Sequence, residues 1–148
     1  MRWSMSVCTV MCCIGYGAAA LWDEKERQVP RLLSYFVCAG ALAEVFAQWK
    51  QGTVHGLSQV FSLGFFLVIW VAWRKGLVGK ADVYIVFSMV LLLGIRGNYP
   101  EVLFGESLFF VLAFAGAGMR MIFTGKKQGC QLISHLFFAF LWVRLMIL

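Results

Sequence analysis

Six apolar runs separated by short connections constrain this chain more than any other feature. They cover residues 3–22, 32–49, 54–73, 82–97, 102–123 and 131–148. Crossing a bilayer takes about 20 apolar residues in a helix, and most of the runs come close to that length. The fourth is the shortest, with 13 uninterrupted residues between Asp82 and Arg96. In hydrocarbon each backbone N–H and C=O must find its partner within the segment, so such runs fold as helices. The expectation is an all-α, multi-pass membrane protein: one domain over 1–148, built as a bundle of about six transmembrane helices.

Composition agrees. Charged residues make up 14% of the chain, against about 25% in an ordinary soluble domain. The mean hydropathy is +0.82, and 14 Phe and 6 Trp suit a lipid-facing surface. The net charge of +6 does not imply nucleic acid, because the basic residues gather at the ends of apolar runs, as topology requires. The cysteines Cys8, Cys12, Cys13, Cys38 and Cys130 form no C-x-x-C pair. That spacing excludes a zinc ribbon or redox motif and leaves them as small packing residues. His55 and His135 have no ligand three or four positions away, so no metal site is expected. There is no G-x-S-x-G either, which leaves a serine protease mechanism without support.

The connections span 23–31, 50–53, 74–81, 97–101 and 124–130, too short for a second domain. The odd-numbered ones and their flanks carry Lys25, Arg27, Arg31, Arg74, Lys75, Lys80, Arg120, Lys126 and Lys127. The opposite side carries Arg2, Lys50, Arg96 and Arg144. Nine basic residues against four put the odd connections in the cytoplasm, within a multi-pass protein of the cell membrane. Arg2, the apolar core and Ala18-Ala19-Ala20 give segment 1 a competing reading as a secretory signal peptide, against which stand its single basic residue and its length. Two stripes of small residues, Ala39/Ala43/Ala47 and Ala113/Ala117 beside Gly116 and Gly118, mark close helix packing.

Two aspartates stand at the cytoplasmic ends of runs. Asp23 closes segment 1 and opens the stretch Asp23-Glu24-Lys25-Glu26-Arg27-Gln28-Val29-Pro30, a charged hairpin. Pro30, with its preset φ and missing N–H, fits the first turn of segment 2. Asp82 opens segment 4 in Gly79-Lys80-Ala81-Asp82, where a carboxylate favours a helix start. Gly79 supplies backbone freedom and Ala81 leaves the backbone open. Each aspartate also has a plain structural role available, Asp23 as a solvated loop acid and Asp82 as a helix cap. Acids at membrane depth nonetheless tend to mark function.

These two elements resemble the type IV prepilin peptidases, in the short form typical of Tad-type prepilin and archaeal preflagellin peptidases. That family pairs an aspartate seven positions before a proline with a G-x-G-D motif. Asp23 and Pro30 match the first, with Val29-Pro30 as the apolar-Pro pair. Gly79-Lys80-Ala81-Asp82 matches the second, with Ala81 in place of the second glycine, and Arg31 stands where asparagine often follows the proline. The resemblance implies an intramembrane aspartic endopeptidase that removes the basic leader of prepilin-like membrane precursors at the cytoplasmic face. Asp23 and Asp82 would be its catalytic acids, supported by Pro30, Gly79, Lys80 and Ala81. Longer members also methylate the new N-terminus and carry a cytoplasmic insert with paired C-x-x-C motifs. Neither the insert nor the motifs occur here, so peptidase activity without methylation is implied. Two close carboxylates share a proton, which supplies a general base and a general acid with no metal or cofactor.

Glu44, well inside segment 2, is a secondary candidate that would tune the pair or line a cavity. Glu106 is expected to reach interfacial water, and Arg144 to snorkel to the outer interface. Lys80, Arg74 and Lys75 are suited to lipid headgroups, and Glu24 and Glu26 to attracting a basic leader. The alternative reading is a non-enzymatic multi-pass protein, a small transporter or assembly subunit, in which Glu44 and Asp82 serve ion coupling or packing.

Overall fold

The computed structural model describes residues 6–26, 28–76, 78–95, 99–124 and 132–146. Arg2, Arg27, Arg96, Lys126, Lys127 and Cys130, all used above, lie outside these ranges. Among the described residues the chain is entirely helical. The helices are α1 (Val7–Glu26), α2 (Arg31–Lys50), α3 (Gly56–Arg74), α4 (Lys80–Leu93), α5 (Tyr99–Thr124) and α6 (Leu132–Met146). Three stretches are long and apolar enough to cross a membrane: α2, α3 and Pro100–Arg120 of α5. α6 has a shorter apolar stretch, Leu132–Leu145. Leu32, Trp49, Ile122 and Phe123 are 71–86% exposed, among many large apolar side chains on the exterior.

α4 is the centre of the bundle. The other five helices form an arc around it in the order α2, α1, α6, α5, α3; α4 packs on α2, α3, α5 and α6 and meets α1 through the Tyr16 O–H, which donates to Ser88 Oγ at 2.9 Å. Its sequence explains the position. From Val83 to Leu93 it is apolar on all sides, and nine residues are buried, Ser88 among them. A helix apolar all round belongs inside. The first turn, Lys80–Asp82, is polar and stands clear of that apolar stretch, at the same end of the bundle as the charged last turn of α1.

The 14 residues of α4 measure only about 21 Å, short of the roughly 30 Å of a bilayer core. Its C-terminal end therefore stops inside the protein, where its carbonyls need partners. Arg144 of α6 supplies one, donating from Nη1 to the Leu92 carbonyl at 2.8 Å. Arg144 is only 5% exposed, so it caps α4 instead of snorkelling outward. Glu106 also departs from expectation. It is fully buried and hydrogen-bonded to Ser62 of α3, instead of reaching water. Gly94, just past α4, admits this crowding, since a Cβ there would lie 3.0 Å from Gln59 Nε2 and closer still to Ser62 Oγ.

Small residues pack helices together at positions that the stripes predict only in part. Ala113 and Ala117 are buried, but Ala39, Ala43 and Ala47 are exposed. The close α1–α2 approach instead uses Gly15 and Gly40. A Cβ on Gly15 would meet Val37 Cγ1 at 2.5 Å, and one on Gly40 would meet Cys12 Sγ at 2.8 Å. α1 is thus an integral wall of the bundle, through the buried residues Cys12, Tyr16, Ala19 and Ala20. Cys8, Cys12, Cys13 and Cys38 are free thiols.

Candidate active site

Asp23 does not lie in a hairpin. α1 continues through Glu26, because charged side chains are tolerated where a helix emerges from its apolar surroundings. Tyr16, Ala19, Ala20 and Asp23 form one buried face, so helical periodicity points Asp23 inward while Glu24 and Glu26 stay exposed. Asp23 is 8% exposed and accepts the backbone N–H of Ile133 at the start of α6. Its neighbour Glu24 ties three helices together. It accepts Arg120 Nη1 at 2.5 Å and Nη2 at 3.1 Å from α5, and Ser134 Oγ at 2.9 Å from α6. Arg120 holds the Glu24 carboxyl below its usual range. Glu26 accepts the Trp22 indole N–H at 2.8 Å.

Asp82 is held by its own helix start. Its Oδ2 accepts the Gly79 N–H at 3.2 Å, the side-chain half of a capping box. Gly79 has φ −71 and ψ 153, ordinary extended backbone, so conformational freedom is not its contribution. A Cβ at this position would sit 3.1 Å from Asp82 Oδ2. Glycine here keeps the approach of the carboxylate to the backbone open. Pro30 is the residue preceding α2, with φ −56 and ψ 131, and its carbonyl accepts Leu33 N–H at 3.0 Å and Ser34 N–H at 3.3 Å.

The two aspartates line one cavity of about 510 Å³. Its wall comes from four helices and their connections: Asp23 of α1; Arg31, Ser34 and Tyr35 of α2; Gly79 to Asp82 and Tyr84 around the start of α4; and Leu132 and Ile133 of α6. Both carboxyl groups are pushed up from the ordinary aspartate range. For Asp82 the causes are burial first and the Asp23 charge second, and they raise it to about 6. For Asp23 burial leads, opposed by the Ile133 N–H. Burial thus favours the neutral form of both carboxyl groups, and the Asp23 charge adds to it at Asp82.

A second cavity, also about 510 Å³, opens between the two ends of the arc, α2 and α3, with α4 as its floor. It is an apolar groove lined by Leu42, Phe66, Trp70 and Phe87 among others, and it shares Tyr35, Lys80 and Tyr84 with the acid cavity. The Tyr35 and Tyr84 rings meet edge-on at 5.4 Å at this junction.

Not every sequence candidate is at the site. Lys80, Ala81 and Gly79 line the acid cavity; Pro30 stands next to it in sequence, one residue before Arg31. Glu44 lines neither cavity. It is 3% exposed and lies ten positions beyond Ser34 in α2, about 15 Å along the helix axis. There it accepts hydrogen bonds from Ser6 and from Gln48 Nε2 at 3.0 Å. His55 is exposed at the start of α3. Among the described residues no three His, Cys, Asp or Glu side chains gather in a form that would hold a metal ion.

One cavity residue had escaped notice. Ser34 is 1% exposed, lines the acid cavity, and its Oγ has no hydrogen-bond partner among the described residues. A buried hydroxyl left unsatisfied costs about 1–3 kcal/mol. The available sequence signal was position: Ser34 lies one helical turn after Pro30, on the face that Val37, Ala41 and Glu44 continue.

No protein-family model, curated protein or solved structure matches this chain.

Proposed function

We propose that this protein is an intramembrane aspartic endopeptidase with Asp23 and Asp82 as its catalytic acids. The observation that carries the reading is their placement on different helices around one cavity, with raised carboxyl pKa values at both. In this reading the apolar stretches of the six helices lie in the membrane, with Asp23, Glu24 and Asp82 beyond them at the cytoplasmic end, and the odd-numbered connections face the cytoplasm, as the distribution of Lys and Arg suggests. The acid cavity then sits at the inner face of the cell membrane, where water reaches it. The ionised member of the pair takes a proton from water as that water attacks the scissile carbonyl carbon. The protonated member donates to the carbonyl oxygen, and the proton inventory is restored when the amine leaves.

The substrate class follows from the resemblance and from the cavity's surroundings. A membrane precursor with a basic leader, followed by an apolar helix, would lay its leader at the cytoplasmic side and its apolar part in lipid. The apolar groove that joins the acid cavity at Tyr35, Lys80 and Tyr84 offers that part a path. Co-expression with such a precursor provides the test, read as a mobility shift on leader removal. Cleavage by the wild type, abolished in both Asp23→Asn and Asp82→Asn, supports the reading. An unshifted precursor with all three proteins favours the non-enzymatic transporter or assembly role.

A further inference from the structure

We infer that Ser34 is a substrate-positioning residue, whose hydroxyl hydrogen-bonds the backbone of the peptide presented to Asp23 and Asp82. The inference rests on the peptidase reading and adds a residue that the motifs do not contain. Five serines are buried: Ser34, Ser58, Ser62, Ser88 and Ser134. Three of them show the usual solution for a buried hydroxyl. Ser62 Oγ lies 3.0 Å from the Ser58 carbonyl, Ser88 Oγ donates to the Ile85 carbonyl at 2.8 Å, and Ser134 Oγ donates to Glu24. Ser34 alone among the five appears with its oxygen unsatisfied.

Local structure leaves it that way. A helical serine ordinarily bonds back to a carbonyl three or four positions earlier. For Ser34 the carbonyl four back is that of Pro30, which already accepts two backbone N–H groups, and the Oγ bonds neither it nor the Arg31 carbonyl three back. The residue lines the acid cavity together with Asp23 and Asp82. A peptide can be cut there only when its own helix has opened, which strips backbone N–H and C=O groups of their partners. A hydroxyl both donates and accepts, so Ser34 can satisfy either kind of freed group and hold the chain in register. Aspartate pairs cannot do this themselves, since their oxygens are committed to the water and the scissile carbonyl. A bound peptide backbone would supply the partner that the described residues do not give this hydroxyl.

The test compares the wild type, Ser34→Ala, Ser34→Thr and Asp82→Asn in lipid nanodiscs, with a purified precursor as substrate. For Ser34→Ala, KM is expected to rise roughly three- to tenfold, the effect of one hydrogen bond, while kcat stays within about twofold. Its thermal unfolding midpoint should equal or exceed that of the wild type, because no intramolecular bond is lost. Ser34→Thr, which keeps the hydroxyl, should restore KM to within about twofold. Wild-type cleavage with an unchanged KM in Ser34→Ala overturns the role of Ser34 and leaves the peptidase reading standing. A lowered unfolding midpoint in Ser34→Ala with kcat and KM both altered assigns it to packing and likewise overturns the inference. Precursor left intact by the wild type and by Asp82→Asn alike overturns the peptidase reading, and this inference with it.

Discussion

The two ends of this bundle treat buried acids in opposite ways. At one end Asp23 and Asp82 line a cavity of about 510 Å³, and Ser34 in its wall has a hydroxyl with no hydrogen-bond partner among the described residues. Toward the other end Glu44 and Glu106 are at least as deeply buried, yet side chains close around them: Ser6 and Gln48 on Glu44, Ser62 on Glu106. Neither lines either cavity described above. Burial of a carboxyl group is therefore not the mark of function here, although an acid at membrane depth is a functional candidate by default. What separates the ends is the cavity: Glu106 Oε2 is also buried with no hydrogen-bond partner among the described residues, but it lines neither cavity, whereas both aspartates line one. The Glu106 end has a structural task. α4 ends within the protein, and the Arg144, Ser62 and Gln59 side chains gather around its last turn and Gly94.

Neutralising the acids one at a time tests this contrast most severely. Asp23→Asn and Asp82→Asn should each lower precursor cleavage by at least about a thousandfold, the scale of losing general acid–base catalysis. Glu44→Gln and Glu106→Gln keep the shape and a hydrogen-bonding amide, and should stay within about twofold of the wild type. A loss in either glutamine variant comparable to the aspartate variants would erase the distinction.

The pH profile comes next in size. The pair needs one proton, and Asp82 is raised to about 6 by burial and the Asp23 charge. Cleavage should fall about tenfold per pH unit above that region, as the shared proton is lost. It should fall again in acid, once Asp23 is protonated too. Stability shares the sign. A raised carboxyl pKa contributes stability that is complete below the unfolded value of 3.8 and is lost as pH rises through about 6. Thermal unfolding followed between pH 4 and 7 should show this decline in the wild type and a flatter curve in Asp82→Asn.

Arg144→Met sharpens the comparison from the structural end. It withdraws the hydrogen bond to the Leu92 carbonyl, leaving that acceptor in apolar surroundings. The expected loss is about 1–3 kcal/mol of stability, with kcat per folded molecule unchanged. Chemical denaturation beside a cleavage assay separates the two quantities.

How much of this was legible beforehand differs by level. The six helices follow from the apolar runs, three of which give stretches long and apolar enough to cross a membrane. The central position of α4 was also present in the sequence, disguised as weakness. The run is short, yet it is apolar all round, and such a helix belongs inside the bundle. Asp23 and Asp82 were linked by the resemblance of their motifs and by their expected common side, and both line one cavity. Arg144 and Glu106 were misplaced because hydropathy reports depth and says nothing of partners. Ser34 was invisible for the same reason, since an unsatisfied hydroxyl exists only as a relation between several helices.

The smallest effect concerns the exposed charges beside the site. Glu24 was an obvious candidate for attracting a basic leader, but Arg120 and Ser134 already hold it. Both partners of the ion pair are more than a third exposed, so solvent screens it, and Glu24→Gln should cost no more than about 1 kcal/mol. The lowered carboxyl pKa fixes the sign: this stability is present above the ordinary value of 4.5 and is lost as pH falls through the folded value. Glu26 is exposed and bonded only by the neutral Trp22 indole among the contacts described, so its charge is the more available to a substrate. Glu26→Lys should therefore raise KM for a basic leader by more than Glu24→Gln does, with the difference shrinking in high salt. Equal KM values for the two variants at low salt would remove leader attraction from the account and leave Glu24 a purely structural tie among α1, α5 and α6.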